Sequence, residues 1–256
     1  MPVVEPVDAA TVILARAGIN GDPWECFMVR RPAASDFAAD VYVFPGGKVD
    51  VADRSQANYA VDPKWLDVRA EGPAIALAAR AAACRELFEE AAVLLAGRKE
   101  GRLGERDAAR LSERRNAMAR GEMTLAQLGE LEDLSFRFED LHPISRWITP
   151  DVFPRRYDTR FYLAELPAEQ TPIVADGEIT HGMWIAPGEA LRRFRAREFP
   201  LVFATEKHLE RLARYDTIHD LIDSVLLADL QPVMPVPIPE GNSYRFVIPD
   251  RPETTS

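Results

Sequence analysis

RELFEEAAV, residues 85–93, sets Glu86, Glu89 and Glu90 within five positions behind Arg85. It lies inside a longer run, PAIALAARAAACRELFEEAAVLLAG (73–97), that is otherwise almost wholly alanine and aliphatic. Alanine is the strongest helix former, Pro73 suits a first turn and Gly97 suits a C-terminal end, so the run predicts one long helix. Positions three and four apart are neighbours on a helix, so the glutamates lie close on one side. Leu87, Ala91 and Leu94, widened by Phe88, Ala92 and Leu95, form an apolar stripe on another. Like charges at this spacing repel by roughly 0.2–0.5 kcal/mol per pair on an exposed helix, and by more when desolvated. A glutamate pair in a helix is ordinarily a solvated face. On a helix this apolar, acids need partners. A divalent cation is one, since magnesium and manganese prefer carboxylate oxygen. Arg85 is another, able to hold a carboxylate by a bidentate bond.

A second stretch, VFPGGKVD (43–50), reads as a strand ending at Phe44-Pro45, followed by two glycines that let the backbone turn sharply. Glycine also lets a carbonyl approach a ligand closely. TVILARAG (11–18) and WECFMVRR (24–31) read as strands joined by a turn, and VYVF (41–44) as a third. Residues 50–73 read as a polar loop with one helical turn near Lys64–Val68. Residues 98–133 are highly charged and read as two short helices. The second starts at Thr124, with Gln127 three residues on in a capping-box pattern. ISRWIT, TRFYLAEL and ITHGMWIA return to strand character, and three helices follow, the last over Ile218–Ala228. Prolines across Gln231–Pro239 exclude a helix or central strand there, leaving an extended arm with YRFVI as a last strand. This order predicts an α/β fold, a mixed sheet with helices on both faces. Residues 1–230 read as one domain with insertions at about 54–72 and 98–133, and 231–256 as a C-terminal arm.

The net charge of −10 argues against non-specific binding to nucleic acid or acidic membrane. No apolar run is long enough for a membrane span, and the first residues lack the basic region of a signal peptide. With two cysteines in apolar surroundings and no terminal address, the expected setting is a reduced cytoplasm.

Together, the strand, the PGG turn and the later RELFEE helix resemble the Nudix hydrolase family. Its box is a glycine, five residues, a glutamate, seven residues, then Arg-Glu-aliphatic-x-Glu-Glu-x-Gly-aliphatic. Gly47 takes the first glycine; Arg85, Glu86, Leu87, Glu89, Glu90 and Val93 match the second half. Asp53 stands in the place of the glutamate, Ala92 replaces the late glycine, and 31 residues (54–84) fill the spacer. An insertion inside the box, with VFPGGKVDVAD, AACRELFEEAAVLL and RWITPDVFPRRYDTRFYLAELP, is similar to the coenzyme A diphosphatase branch.

The resemblance implies an α/β/α sandwich with a long catalytic helix and an extra helical insertion. It implies Mg2+ or Mn2+ held by Glu86, Glu89 and Glu90, with the Gly47 carbonyl as a further ligand and Arg85 orienting the acids. It implies hydrolysis of a diphosphate linkage in a small nucleotide derivative. Coenzyme A or an acyl-coenzyme A leads, giving phosphopantetheine and adenosine 3′,5′-bisphosphate. ADP-ribose, a dinucleotide or a nucleotide sugar is the alternative. A Nudix-like binding module without catalysis is a second, against which the intact acid set argues. A box glutamate or a later acid serves as general base, with Glu178 the leading later candidate and Asp176 next. Arg30 and Arg31, at the end of a strand, and Arg155 and Arg156, at the start of another, are within the sequence context of a phosphate contact. Phe44 and Trp147 are candidates for stacking on a base, against ordinary core packing. His142, His181, His208 and His219 show no metal spacing and read as structural or surface groups. A homodimer is a further expectation from the family.

Overall fold

The computed structural model describes residues 3–19, 21–33, 40–55, 59, 72–98, 101–173, 181–226, 230–241 and 243–249. Strands β1 (Val7–Ala17), β2 (Trp24–Arg30), β3 (Tyr42–Val43) and β4 (Gly46–Lys48) precede the long helix α1 (Pro73–Ala91). β5 (Ala96–Arg98) and β6 (Gly101–Arg102) lead into α2 (Glu105–Ala119) and α3 (Leu125–Glu132), and β7 (Ser135–Phe136) returns from them. Then come β8 (His142–Ile148), β9 (Tyr157–Glu165), β10 (His181–Ile185), α4 (Pro187–Arg195), α5 (Phe203–Leu212), α6 (Ile218–Leu226), β11 (Val236–Glu240) and β12 (Ser243–Val247). The helical turn expected near Lys64–Val68 lies outside the described residues.

The main sheet runs β10-β2-β1-β9-β8, with β3 beside β2 and β4 beside β1. β1 and β9 are parallel, and their neighbours pair antiparallel, which makes the sheet mixed. Side chains alternate across a strand, and here both faces are apolar. Ala10, Val12 and Leu14 of β1 pack with Phe27, Val29 and Tyr162 against α1 and the α2–α3 excursion. Ile13 and Ala15 pack with Cys26, Met28 and Leu163 under α4, α5 and α6. The result is the helix–sheet–helix sandwich that the resemblance implies.

α1 is buried on nearly every side, from Ala76 through Arg85 and again at Leu87, Phe88, Glu90 and Ala91. It ends at Ala91 rather than near Gly97. Ala92 adopts a left-handed conformation, φ 56°, and its N–H donates to Phe88 O at 2.9 Å. Gly97 sits in β5 instead. The early stop lets Leu94 and Leu95 turn into the core, with Gln170 bonding both the N–H and the carbonyl of Leu94 at 2.9 Å. A left-handed alanine carries a Cβ penalty that glycine escapes, set against glycine's greater freedom in the unfolded chain. Ala92→Gly should therefore raise unfolding stability by about 0.5–1 kcal/mol and leave turnover unchanged. A denaturant midpoint at or below wild type would show that the strain is absent.

Gly46 and Gly47 do not form a sharp turn. They belong to β4 and pair with Thr11 and Ala10 of β1, and neither has a positive φ. A Cβ on Gly46 would stand 2.4 Å from Ala10 O. Close approach, not turning, is what glycine provides there.

Both cysteines are free and buried, and burial pushes the Cys26 thiol up to about 12. His208 is 3% exposed, bonds Ser145 Oγ and Ala204 O at 2.7 Å each, and stacks on Phe161; burial lowers its pKa to about 4. The proline-rich end is a β11–β12 hairpin, tied back where Ile148 N donates to Val233 O at 2.8 Å. Among the described residues, no helix is long and apolar enough to cross a membrane.

Candidate active site

Arg85 leaves α1 at the point where β4 and the following loop pass over the helix. It is 7% exposed. Its Nη2 donates to Asp53 Oδ2 at 3.0 Å and to Lys48 O at 2.8 Å, and its Nε lies 3.3 Å from both Asp53 oxygens. Its Nη1 donates to Glu86 at 2.9 Å and to Glu89 at 3.4 Å. Asp53 is 2% exposed and also accepts from Asp50 N at 2.9 Å. The shorter acid therefore reaches the arginine, and one guanidinium pins the loop after β4 to the helix and to two of its glutamates. Burial alone would lower the Arg85 pKa. Glu86, Asp53 and Glu89 overcome that and hold it above its ordinary value.

The glutamates are not a solvated face. The side chains of Glu86 and Glu89 keep only 12% and 15% of their exposure, and Glu90 is buried. Glu90 Oε2 accepts from Gly46 N at 3.0 Å. The Glu86 carboxylate fills the space where a Gly47 Cβ would stand, with Oε1 2.2 Å from that point. Burial pushes the Glu89 carboxyl above the usual carboxylate range against the pull of Arg85. Glu86 and Glu89 share Arg85 Nη1 while Glu90 turns to Gly46 N, and among the described residues no three metal-binding side chains converge on one point. The set is nonetheless all carboxylate oxygen, the donor type that Mg2+ and Mn2+ take. A nearby cation would also offset the burial that disfavours ionised Glu89. The residues fit such an ion.

A cleft of about 250 Å³ opens beside these groups, lined on one side by Asp50, Asp53, Arg85 and Glu89. Met118 of α2, Met123 of the following turn and Leu125 of α3 line the other, beside Ala119, Gly121 and Thr124. On sequence grounds residues 98–133 have three open roles: covering the active-site cleft, shaping a pocket for a long substrate, or building a dimer contact. A methionine at helical spacing carries no sign that it faces a distant cleft.

The substrate-contact candidates fare differently. Arg30 ends β2 and bonds Asp40 at 2.9 Å near the entry to β3. Arg31 is half-buried, with Nε lacking a hydrogen-bond partner among the described residues. Arg155 is exposed. Arg156 is buried and serves as a strap, donating to Thr149 O at 2.9 Å and Val4 O at 2.8 Å and meeting the Met234 sulfur. Phe44 is 2% exposed in the core under α4–α6, and Trp147 belongs to the same cluster. Neither ring is placed to stack on a base. Glu178 and Asp176 lie outside the described residues.

A model of the NUDT19 Nudix domain family matches residues 70–212. The chain belongs to the Nudix hydrolase family. It is 28% identical over 275 aligned positions to the acyl-coenzyme A diphosphatase NUDT19 of Gallus gallus, covering 84% of this chain and 70% of that protein. The Xenopus laevis protein of the same name is 27% identical over 241 positions, covering 79% of this chain. The chain spans only 63% of the frog protein's length. A solved Nudix hydrolase from Alicyclobacillus acidocaldarius superposes with a TM-score of 0.66 at 26% identity, covering 89% of this chain and 97% of that one. The family model places the chain in the NUDT19 branch of the Nudix hydrolases.

Proposed function

We propose that this Nudix enzyme hydrolyses the diphosphate linkage of coenzyme A or an acyl-coenzyme A, with Mg2+ or Mn2+ as cofactor. The observation that carries the reading is the buried cluster of Arg85, Asp53, Glu86, Glu89 and Glu90 against β4. The names of the chicken and frog relatives supply the substrate. Glu86, Glu89 and Glu90 would hold the ion, which would neutralise the diphosphate and acidify a bound water. Arg85 and Asp53 position the acids. Arg85 spends its donors on Asp53, Glu86, Glu89 and Lys48 O, so it acts through the acids and not on substrate. Water adds to one phosphorus, the bridging P–O bond breaks, and the water proton passes to a carboxylate. The products are phosphopantetheine and adenosine 3′,5′-bisphosphate.

The test is a hydrolysis screen with Mg2+ or Mn2+ on coenzyme A, acetyl-coenzyme A, ADP-ribose, NADH, diadenosine polyphosphates and nucleoside triphosphates. Products are resolved by mass. Preferential release of phosphopantetheine is expected. Preference for ADP-ribose or NADH would replace the substrate and keep the chemistry. Tight binding without turnover would point to a sensor.

A further inference from the structure

The α2–α3 turn is built to hold a fixed shape. α2 ends in paired bonds, Gly121 N to Met118 O at 2.8 Å and Glu122 N to Ala117 O at 2.9 Å, with Gly121 at φ 70°. This is the Schellman arrangement. Two residues on, Thr124 caps α3, with Thr124 and Gln127 exchanging bonds at 2.9 and 3.2 Å. The helices are clamped further from the turn. Arg98 bonds Asp107 at 2.8 Å, Arg110 lies 3.0 Å from both Asp107 and Glu132, and Arg114 lies 3.3 Å from Glu132. Arg115 donates to Ile173 O at 2.9 Å, and Ile173 N donates to Ala91 O, at the end of α1. The excursion is thus anchored to the helix that carries the acids.

This scaffold presents mainly apolar side chains to the cleft, with Thr124 as the polar exception. Met118 is buried, Met123 half-buried and Leu125 buried, and they face Asp50, Arg85 and Glu89. Among the described residues, no aromatic ring lines the cleft to stack on a base. The one cation among its described lining residues, Arg85, is engaged by acids and a carbonyl. Along the Met118–Met123 face a sugar or a base would find few polar partners, since the polar lining groups lie across the cleft at Asp50, Asp53 and Glu89 and at its edge at Thr124. A saturated chain suits thioether walls, which are polarisable and adapt to irregular shapes. At about 250 Å³, the space falls below a typical whole-ligand pocket of roughly 300–1,000 Å³. It would take a substituent.

We infer that this cleft is a subsite for the first saturated carbons attached to the scissile diphosphate, with Met118 and Met123 as its specificity-determining wall. The inference rests on the diphosphatase reading above and goes further by assigning the insertion a role in selecting aliphatic over sugar substituents.

The experiment measures kcat/KM for adenosine 5′-diphosphate alkyl esters from methyl to hexyl, with coenzyme A and ADP-ribose alongside. Each buried methylene is worth about a three- to fourfold gain, so wild type should climb with chain length until the cleft is full. Met123→Gln should flatten the climb while leaving the methyl ester and ADP-ribose within about twofold, since it touches the chain and not the acids. Met123→Leu should keep the climb, which separates loss of apolarity from loss of fold. An unchanged slope in Met123→Gln, or an equal drop on every ester including methyl, overturns the subsite. So does a flat wild-type series in an enzyme active on coenzyme A. Turnover of ADP-ribose with none of coenzyme A or the esters sinks the function reading itself, a separate result.

Discussion

Glu89→Gln should lower turnover by roughly 10³-fold, the scale seen when one preorganised electrostatic group is lost from a site, with the fold intact. Glutamine is nearly isosteric, and its amide oxygen can still accept from Arg85 Nη1, a contact of 3.4 Å in the native protein. Arg85 also keeps Asp53, Glu86 and Lys48 O. Without metal, the substitution removes a carboxylate whose ionisation burial already disfavours, so unfolding stability in a chelator should match or exceed wild type. The difference appears when cation is added. A ligand that binds the native state raises stability by RT ln(1 + [L]/Kd). Wild type should therefore gain thermal stability with millimolar Mn2+, and Glu89→Gln should gain much less. Calorimetry with and without Mn2+, beside turnover on coenzyme A, checks both halves. Wild-type turnover in the variant would end the assignment of Glu89 as a cation ligand.

Much of this site was legible in the sequence because its signals are local. Pro73 opens α1 as expected, and the Thr124–Gln127 capping box forms three residues apart. What was not legible depends on contacts far along the chain, or on a residue in an uncharacteristic role. Nothing local announces that Ala92 will take a left-handed conformation, so the helix read as running on towards Gly97. The two glycines of PGG read as a turn, whereas their reason is steric: Ala10 O on one side and the Glu86 carboxylate on the other. Arg156 looked like a phosphate contact because a charge at a strand start is ordinarily exposed. Its partners, Val4 and Met234, lie 152 and 78 residues away. The Met118–Met123 wall is a half case: a role for residues 98–133 at the cleft was among the sequence expectations, but which side chains face Glu89 is set only by the fold.

Gly47→Ala should cut kcat by about 10²-fold, the cost that a displacement of about 1 Å can carry in a catalytic site, with little loss of stability. A Cβ at this position would stand 2.2 Å from Glu86 Oε1, 2.4 Å from Cδ and 2.7 Å from Oε2. What it meets is the end of a side chain, so the carboxylate must swing away and the backbone need not. Residue 47 has no positive φ and its pairing with Ala10 is a backbone contact, so alanine is tolerated in the strand. The displaced Glu86 loses its 2.9 Å bond to Arg85 Nη1 and its place in the acid cluster. Gly46→Ala is the contrast. There the new Cβ would meet backbone, Ala10 O at 2.4 Å, which cannot move without parting β4 from β1. That variant should lose stability first. Adding Glu86→Asp to Gly47→Ala shortens the acid that the methyl group displaces, so the two changes act on one contact and should not be additive. A double variant no worse in kcat than Glu86→Asp alone would show that Gly47 acts by making room for the Glu86 carboxylate. Multiplied losses would mean that Gly47 matters through its backbone instead.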